Sequence, residues 1–186
     1  MYMLDCEIML NCYIIEKTEW AWLIMGQLPE VEIYTDGACS GNPGSGGYGI
    51  VLKYKDNIKE ISGGYRQTTN NRMELIAVII GLEALNKPCE VKIYSDSRYI
   101  IDAVNKGWIK KWKKNGWQRT RDQPAKNVDL WIRILNLAEK HKITWVWVKG
   151  HDENLYNNRC DELAREAIKK QPLQEDQGYT SGTRQI

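Results

Sequence analysis

Three features of the sequence predict an α/β fold, a five-stranded mixed sheet with helices on its faces. Two stretches, VEIYTD at residues 31–36 and VKIYSD at 91–96, match almost position for position and alternate apolar with polar residues, the period of a half-buried strand. Two further alternating runs follow the first stretch closely, as antiparallel neighbours do. Helix-period stripes then appear between and after the matched strands. Three strands, helix, strand, helices, strand, helix is the order of a mixed sheet covered by helices.

The chain has 186 residues and 42% hydrophobic content, which suits one domain with a substantial core. Residues 1–30 hold short apolar clusters with no sustained period and five acids against Lys17 alone. They form an extension that carries no motif, and Met25 is a candidate start because the first strand begins soon after it. The extension has no basic leader, and Glu7, Asn11 and Glu16 interrupt its apolar runs, so neither a signal peptide nor a membrane span is expected. Five cysteines without a C-x-x-C pair argue against both a disulfide framework and a zinc site. Reduced thiols and a cytoplasmic location are the expectation.

In the first strand Val31, Ile33 and Thr35 share one face and Glu32, Tyr34 and Asp36 the other. Asp36 is expected at the strand's end, where SGNPGSGG reads as a sharp reversal. Residues 48–55 and 58–66 form a hairpin about Asp56 and Asn57. The next helix, with Met73, Ile76, Ala77, Ile80 and Ala84 on one stripe and Leu75, Val78, Ile79 and Leu82 filling other positions, should be buried on most sides. Polar residues 67–71 offer caps at its start, and Lys87 with Pro88 ends it. After the second matched strand come a short helix over 97–105, a basic segment, a helix over 126–140 and a fifth strand over 143–148. A last helix is striped by Cys160, Leu163, Ala164, Ala167 and Ile168. The domain is expected to span 31–170, with a mobile polar tail at 171–186.

If the matched strands lie parallel and in register, Asp36 and Asp96 arrive at one edge of the sheet. Two carboxylates confined there need a proton or a cation between them, and a divalent metal is the economical solution. Glu74, in the first turn of the buried helix, is a third candidate, although with Asn71 it also has capping-box spacing. Asp161, one position past Cys160, sits at the edge of the last helix's apolar stripe and is the fourth. His151, in a loop opened by Gly150, would become useful as a proton carrier beside such a site.

TDGACSGNPGSGGYG, TTNNRMEL, YSDSRYI, the basic WIKKWKKNGW with KNVDLW, and VKGH followed by NRCDELA together resemble ribonuclease H type 1, in order and spacing, over about residues 31–170. The resemblance implies a ribonuclease H-like fold and endonucleolytic hydrolysis of the RNA strand of an RNA/DNA hybrid. It also implies dependence on Mg2+ or Mn2+ and 5′-phosphate and 3′-hydroxyl products; an RNA/DNA hybrid duplex is the expected partner of a monomer. Asp36, Glu74, Asp96 and Asp161 would be the metal-binding carboxylates, holding two ions about 4 Å apart across the scissile phosphate. His151 would be a mobile proton or product-release residue.

Cys39, Asn42, Asn70 and Asn71 match minor-groove contacts of the family, where short polar groups meet 2′-hydroxyls. Thr69 and Asn127 match a pocket for a DNA-strand phosphate, with Gln67 standing where relatives often carry Arg. The segment from Lys106 to Arg121 interleaves Lys110, Lys111, Lys113 and Lys114 with Trp108, Trp112 and Trp117. It resembles the family's basic protrusion and suits phosphate contacts beside stacking on sugars. Another polynucleotidyl transferase on the same fold, or a catalytically silent hybrid-binding module, are the competing readings. The glycine stretch with NNRME disfavours the first, and the full set of four acids the second.

Overall fold

The computed structural model describes residues 28–150, 154–170 and 173–179. Three strands open it: β1 (Glu30–Gly41), β2 (Gly44–Tyr54) and β3 (Asn57–Thr68). Helix α1 (Asn70–Glu83), strand β4 (Glu90–Ser95), and helices α2 (Arg98–Asn105) and α3 (Trp108–Lys114) follow. A small hairpin of β5 (Gln118–Thr120) and β6 (Gln123–Pro124) leads to α4 (Val128–Ala138), β7 (Lys142–Trp147) and α5 (Leu155–Lys169). The main sheet has the order β3-β2-β1-β4-β7, with β1–β2–β3 antiparallel and β1–β4–β7 parallel. This is the expected five-stranded mixed sheet.

The matched strands are in the register their sequences imply. Val31 lies beside Val91, Ile33 beside Ile93 and Tyr34 beside Tyr94. Alternation then sends Ile33 and Ile93, with Val31 and Val91, into the larger core, which α1, α2 and α4 cover. Tyr34 joins Val51, Cys160 and Leu163 in a smaller core under α5, with Tyr34 and Tyr94 stacked at 4.5 Å between ring centroids. Helix α1 is buried almost all round, from Arg72 to Leu82, as its unbroken apolar sequence requires.

Two expectations need correction. β1 does not stop at Asp36 but runs on to Gly41, and β2 begins at Gly44, so most of the glycine-rich stretch is paired strand and only Asn42 and Pro43 reverse the chain. Glycine here serves the approach of helices to the sheet more than the turn. The tail is also partly ordered: Leu173 is buried, and Gln174 exchanges backbone hydrogen bonds with Gly64 and Arg66 beside β3. A single apolar residue in a polar stretch leaves little trace in composition, but its burial and these hydrogen bonds anchor the segment. The extension up to residue 27, the candidate start at Met25 and His151 all lie outside the described residues. No described helix is long and apolar enough to cross a membrane.

Candidate active site

The carboxylates gather where β1, β4, α1 and α5 meet. Gly37 lies so close to α1 that a Cβ would collide with the backbone of Met73 and Glu74, which sets Asp36 beside Glu74. Gly49, the ladder partner of Asp36 on β2, abuts the carbonyl of Cys160, one residue before Asp161. Gly150 lies against the carboxylate of Asp96. At Gly37 a side chain would push β1 from α1, at Gly49 it would push β2 from α5, and at Gly150 it would displace the Asp96 carboxylate itself.

Each carboxylate is held in place by its own partners. The Gly37 N–H donates to Asp36 Oδ1 at 2.7 Å. Glu74 accepts from Asn70 Nδ2 at 3.0 Å and from Ser97 Oγ at 2.5 Å, so the capping-box alternative is not realised. The residue at the N-cap of α1 is Thr69, and its side chain caps nothing. Ser97 in turn caps α2 by accepting from the Ile100 N–H, which links the end of β4 to the acid on α1. Asp96 follows β4 directly; its Oδ2 accepts from Asn157 Nδ2 at 3.3 Å and its backbone oxygen from Trp147 Nε1 at 3.2 Å. Asp161, on α5, pairs with Arg165 one turn later at 2.9 Å. Ser97 and Asn157 escape sequence reasoning, because a helix cap and a buried amide look like ordinary polar residues until their partners arrive from 23 and 61 positions away.

The electrostatics record a shortage of positive charge. Burial pushes the Asp36 carboxyl up to about 8, and the charges of Asp96, Asp161 and Glu74 add to it against the lowering hydrogen bond from Gly37. Burial likewise raises Glu74 to about 7, helped by Asp96 and opposed by the Ser97 hydrogen bond. Among the described residues no three His, Cys, Asp or Glu side chains are placed so that they could hold a metal ion as they stand. Asp36 nevertheless feels the charges of Asp96, Asp161 and Glu74, and the all-oxygen donor set of these four acids fits a hard divalent cation better than zinc. A cation among them would offset the burial and the neighbouring negative charges that together raise Asp36 and Glu74.

Around this cluster, Cys39 Sγ donates to the Thr68 carbonyl at 3.7 Å and the Asn70 N–H to Asn42 Oδ1 at 3.3 Å, so Cys39, Asn42 and Asn70 surround the start of α1. Asn71 is exposed there. Thr69 and Asn127 open α1 and α4, whose first turns are tied together by Arg72 and Asp129; Asn127 adopts a left-handed conformation and donates to the Tyr99 hydroxyl at 3.3 Å. Lys110, Lys111, Lys113 and Lys114 on α3 are exposed. Trp108 is 38% exposed, with Lys106 over its ring. Trp112, read as a stacking surface, instead belongs to the larger core and meets Trp131 edge-on. With Ile109 three positions before it, it forms the buried face of α3, which the interleaved lysines disguise.

A sequence model of the family described as RNase H matches residues 29–169. Ribonuclease H of Syntrophus aciditrophicus (strain SB) is 57% identical over 150 residues, 81% of this chain and 87% of that protein. Ribonuclease H of Caldanaerobacter subterraneus subsp. tengcongensis is 59% identical over 140 residues, 75% and 92% of the two chains. Among solved structures, LC9-RNase H1, described as a type 1 RNase H with the type 2 active-site motif, superposes with a TM-score of 0.70 at 31% identity, covering 78% of this chain and 74% of its own. LC11-RNase H1 in complex with an RNA/DNA hybrid superposes with a TM-score of 0.57 at 26% identity, covering 75% and 96%.

Proposed function

We propose a working for this site from the premise that the chain belongs to the ribonuclease H family, a family of divalent-metal-dependent nucleases. The protein is an endonuclease that hydrolyses the RNA strand of an RNA/DNA hybrid. Asp36, Glu74, Asp96 and Asp161 hold the metal, magnesium or manganese, as two ions. The observation that carries this assignment is the convergence of four acids from β1, α1, β4 and α5, with Asp36 raised to about 8 and Glu74 to about 7 by burial and mutual charge.

The bound cations supply positive charge for the scissile phosphate and acidify the attacking water. The protein's own contribution is placement. Gly37 and Asn157 fix one oxygen each of Asp36 and Asp96, and Ser97 with Asn70 fixes both oxygens of Glu74. The donor set is therefore organised before substrate arrives, which spares reorganisation during the reaction. His151 serves as the proton or product-release group. Cys39, Asn42, Asn70 and Asn71 read the minor groove, where 2′-hydroxyls distinguish RNA from DNA, and Thr69 with Asn127 receives a DNA-strand phosphate.

The test is cleavage of an end-labelled RNA/DNA hybrid in Mg2+, beside duplex DNA and duplex RNA. Cleavage confined to the RNA of the hybrid, abolished by chelator and leaving 5′-phosphate ends, is expected. Equal cleavage of duplex DNA, or full activity in chelator, would refute it.

The exposed lysines of α3 are assigned to affinity. With Trp112 in the core, phosphate contact falls to Lys113 and Lys114, and stacking to the partly exposed Trp108. Each phosphate contact removed should flatten the slope of log affinity against log salt by roughly 0.7 to 0.9. For Lys113→Ala with Lys114→Ala, binding to an uncleavable hybrid should weaken with a shallower salt dependence, while single-turnover cleavage at saturation stays within about threefold of the parent. An unchanged slope would leave these lysines as ordinary solvated charges.

A further inference from the structure

Asn157, at the third position of α5, is 1% exposed, and its side-chain oxygen is a buried polar atom with no hydrogen-bond partner among the described residues. Such orphans are uncommon in folded proteins, since a buried acceptor loses water and gains nothing in return. The usual remedy, turning the amide over, fails here. The Nδ2 end faces Asp96 Oδ2 at 3.3 Å, and the opposite orientation would set an amide oxygen against a carboxylate oxygen. Asp96 therefore dictates which end of Asn157 faces it, and the orphan oxygen is the consequence. The residue is firmly seated: its backbone N–H is capped by Asn154 Oδ1 at 3.0 Å. Gly150 lies against the same carboxylate oxygen of Asp96, so the carboxylate is confined between the loop after β7 and the start of α5.

We infer that Asn157 is a positioning residue for the metal site, its N–H orienting Asp96 and its free oxygen accepting a hydrogen bond from the hydration shell of the cation that Asp96 holds. A hydrated cation supplies strongly polarised O–H donors, and the orphan belongs to a residue already bonded to one of the acids. Partners of this kind, one bond removed from the ligands, orient them and commonly change metal affinity by roughly 10- to 100-fold. The inference rests on the assignment of Asp96 as a ligand made above.

The test is Mn2+ binding to the full chain by calorimetry, without substrate, for the parent, Asp36→Asn, Asn157→Leu and Asn157→Ala. Thermal melting in chelator is measured for each. Leucine keeps the heavy-atom count and branching of Asn157, with bulkier ends, and deletes both polar groups, so no orphan remains. Asn157→Leu is expected to melt within a few degrees of the parent yet bind Mn2+ about 10-fold more weakly. Its hybrid cleavage should need correspondingly more metal for half-maximal rate and recover substantially when metal is raised. Asn157→Ala should show the same loss of affinity and covers the case in which leucine prevents folding. Parent-like Mn2+ affinity in the folded fraction of both Asn157 variants, with Asp36→Asn impaired, would overturn the inference and leave Asn157 a packing residue. No Mn2+ binding by the parent would instead remove the metal assignment, and the inference with it.

Discussion

Asp36→Asn is expected to lower hybrid cleavage by on the order of a thousandfold or more, because it removes one charge from a site whose cations supply several kcal/mol of transition-state stabilisation. Hybrid binding should survive, since the exposed lysines of α3 and the polar residues at the start of α1 are untouched. The same substitution should raise stability in chelator. Burial and three neighbouring acids raise the folded-state value of Asp36 to about 8 from 3.8. The folded state thus binds the proton more tightly than the unfolded state, and stability at this residue falls as pH rises from about 4 to 8. Asparagine carries no charge to repel. Its melting temperature should match the parent's near pH 4 and exceed it at pH 8 by several degrees, on the order of 2 kcal/mol. Added Mg2+ should restore the parent and move the variant much less. Melting curves at both pH values, with and without Mg2+, beside cleavage rates, check this. Strong cleavage by the variant, or a variant less stable at pH 8 than at pH 4 relative to the parent, would count against a cation-dependent cluster.

The parts of the structure that were legible in the sequence share one property: their signal is local and repeated. VEIYTD and VKIYSD carry strand period, register and a terminal acid within six residues each, so the pairing of Val31 with Val91 and of Tyr34 with Tyr94 could be read from the chain. Helix α1 announces its burial by having almost no polar side. Features that depend on what approaches from afar were not legible. Gly37 and Gly49 look like turn residues in composition, and only the backbones of Met73 and Cys160 reveal that they are points of close contact in paired strands. Trp112 reads as a stacking surface among lysines because helical period over seven residues is too short to separate its buried face from its charged one. Ser97 within YSDSRYI and Asn157 before NRCDELA show no role of their own in the sequence, since their importance lies in which acid each one meets.

Arg72 is the largest such omission, two residues before Glu74 and unremarkable within NNRMEL. Its guanidinium is 4% exposed and forked between two carboxylates: Nε and Nη2 reach Asp176 at 2.7 and 2.8 Å, and Nη1 and Nη2 reach Asp129 at 3.0 and 2.7 Å. Asp176, also 4% exposed, accepts in addition from Thr68 Oγ1 at 2.6 Å. The segment after Lys170, α1, α4 and the end of β3 are thus joined through one cation. Arg72→Ala leaves Asp176 buried without its counter-charge. Breaking a buried pair in this way costs about 3–5 kcal/mol, or a fall in melting temperature of roughly 10 °C for a chain of this size. Asp176→Asn should cost less, about 1–3 kcal/mol, because Arg72 keeps Asp129 and the amide still accepts from Thr68. The two variants also differ from the parent in their pH dependence. Burial alone would raise the Asp176 carboxyl, but hydrogen bonds from Arg72 and Thr68 and the guanidinium charge outweigh it and hold it below 3.8. A carboxyl lowered on folding contributes stability above its unfolded value and loses it as pH falls through the folded one. The gap between parent and Asp176→Asn should therefore be full at pH 6 and narrow as pH drops below about 4. Thermal or urea unfolding of both variants at pH 6 and pH 3 measures it. A parent-like Arg72→Ala would show that the burial of these charges contributes nothing to holding α1, and with it Glu74, against the sheet.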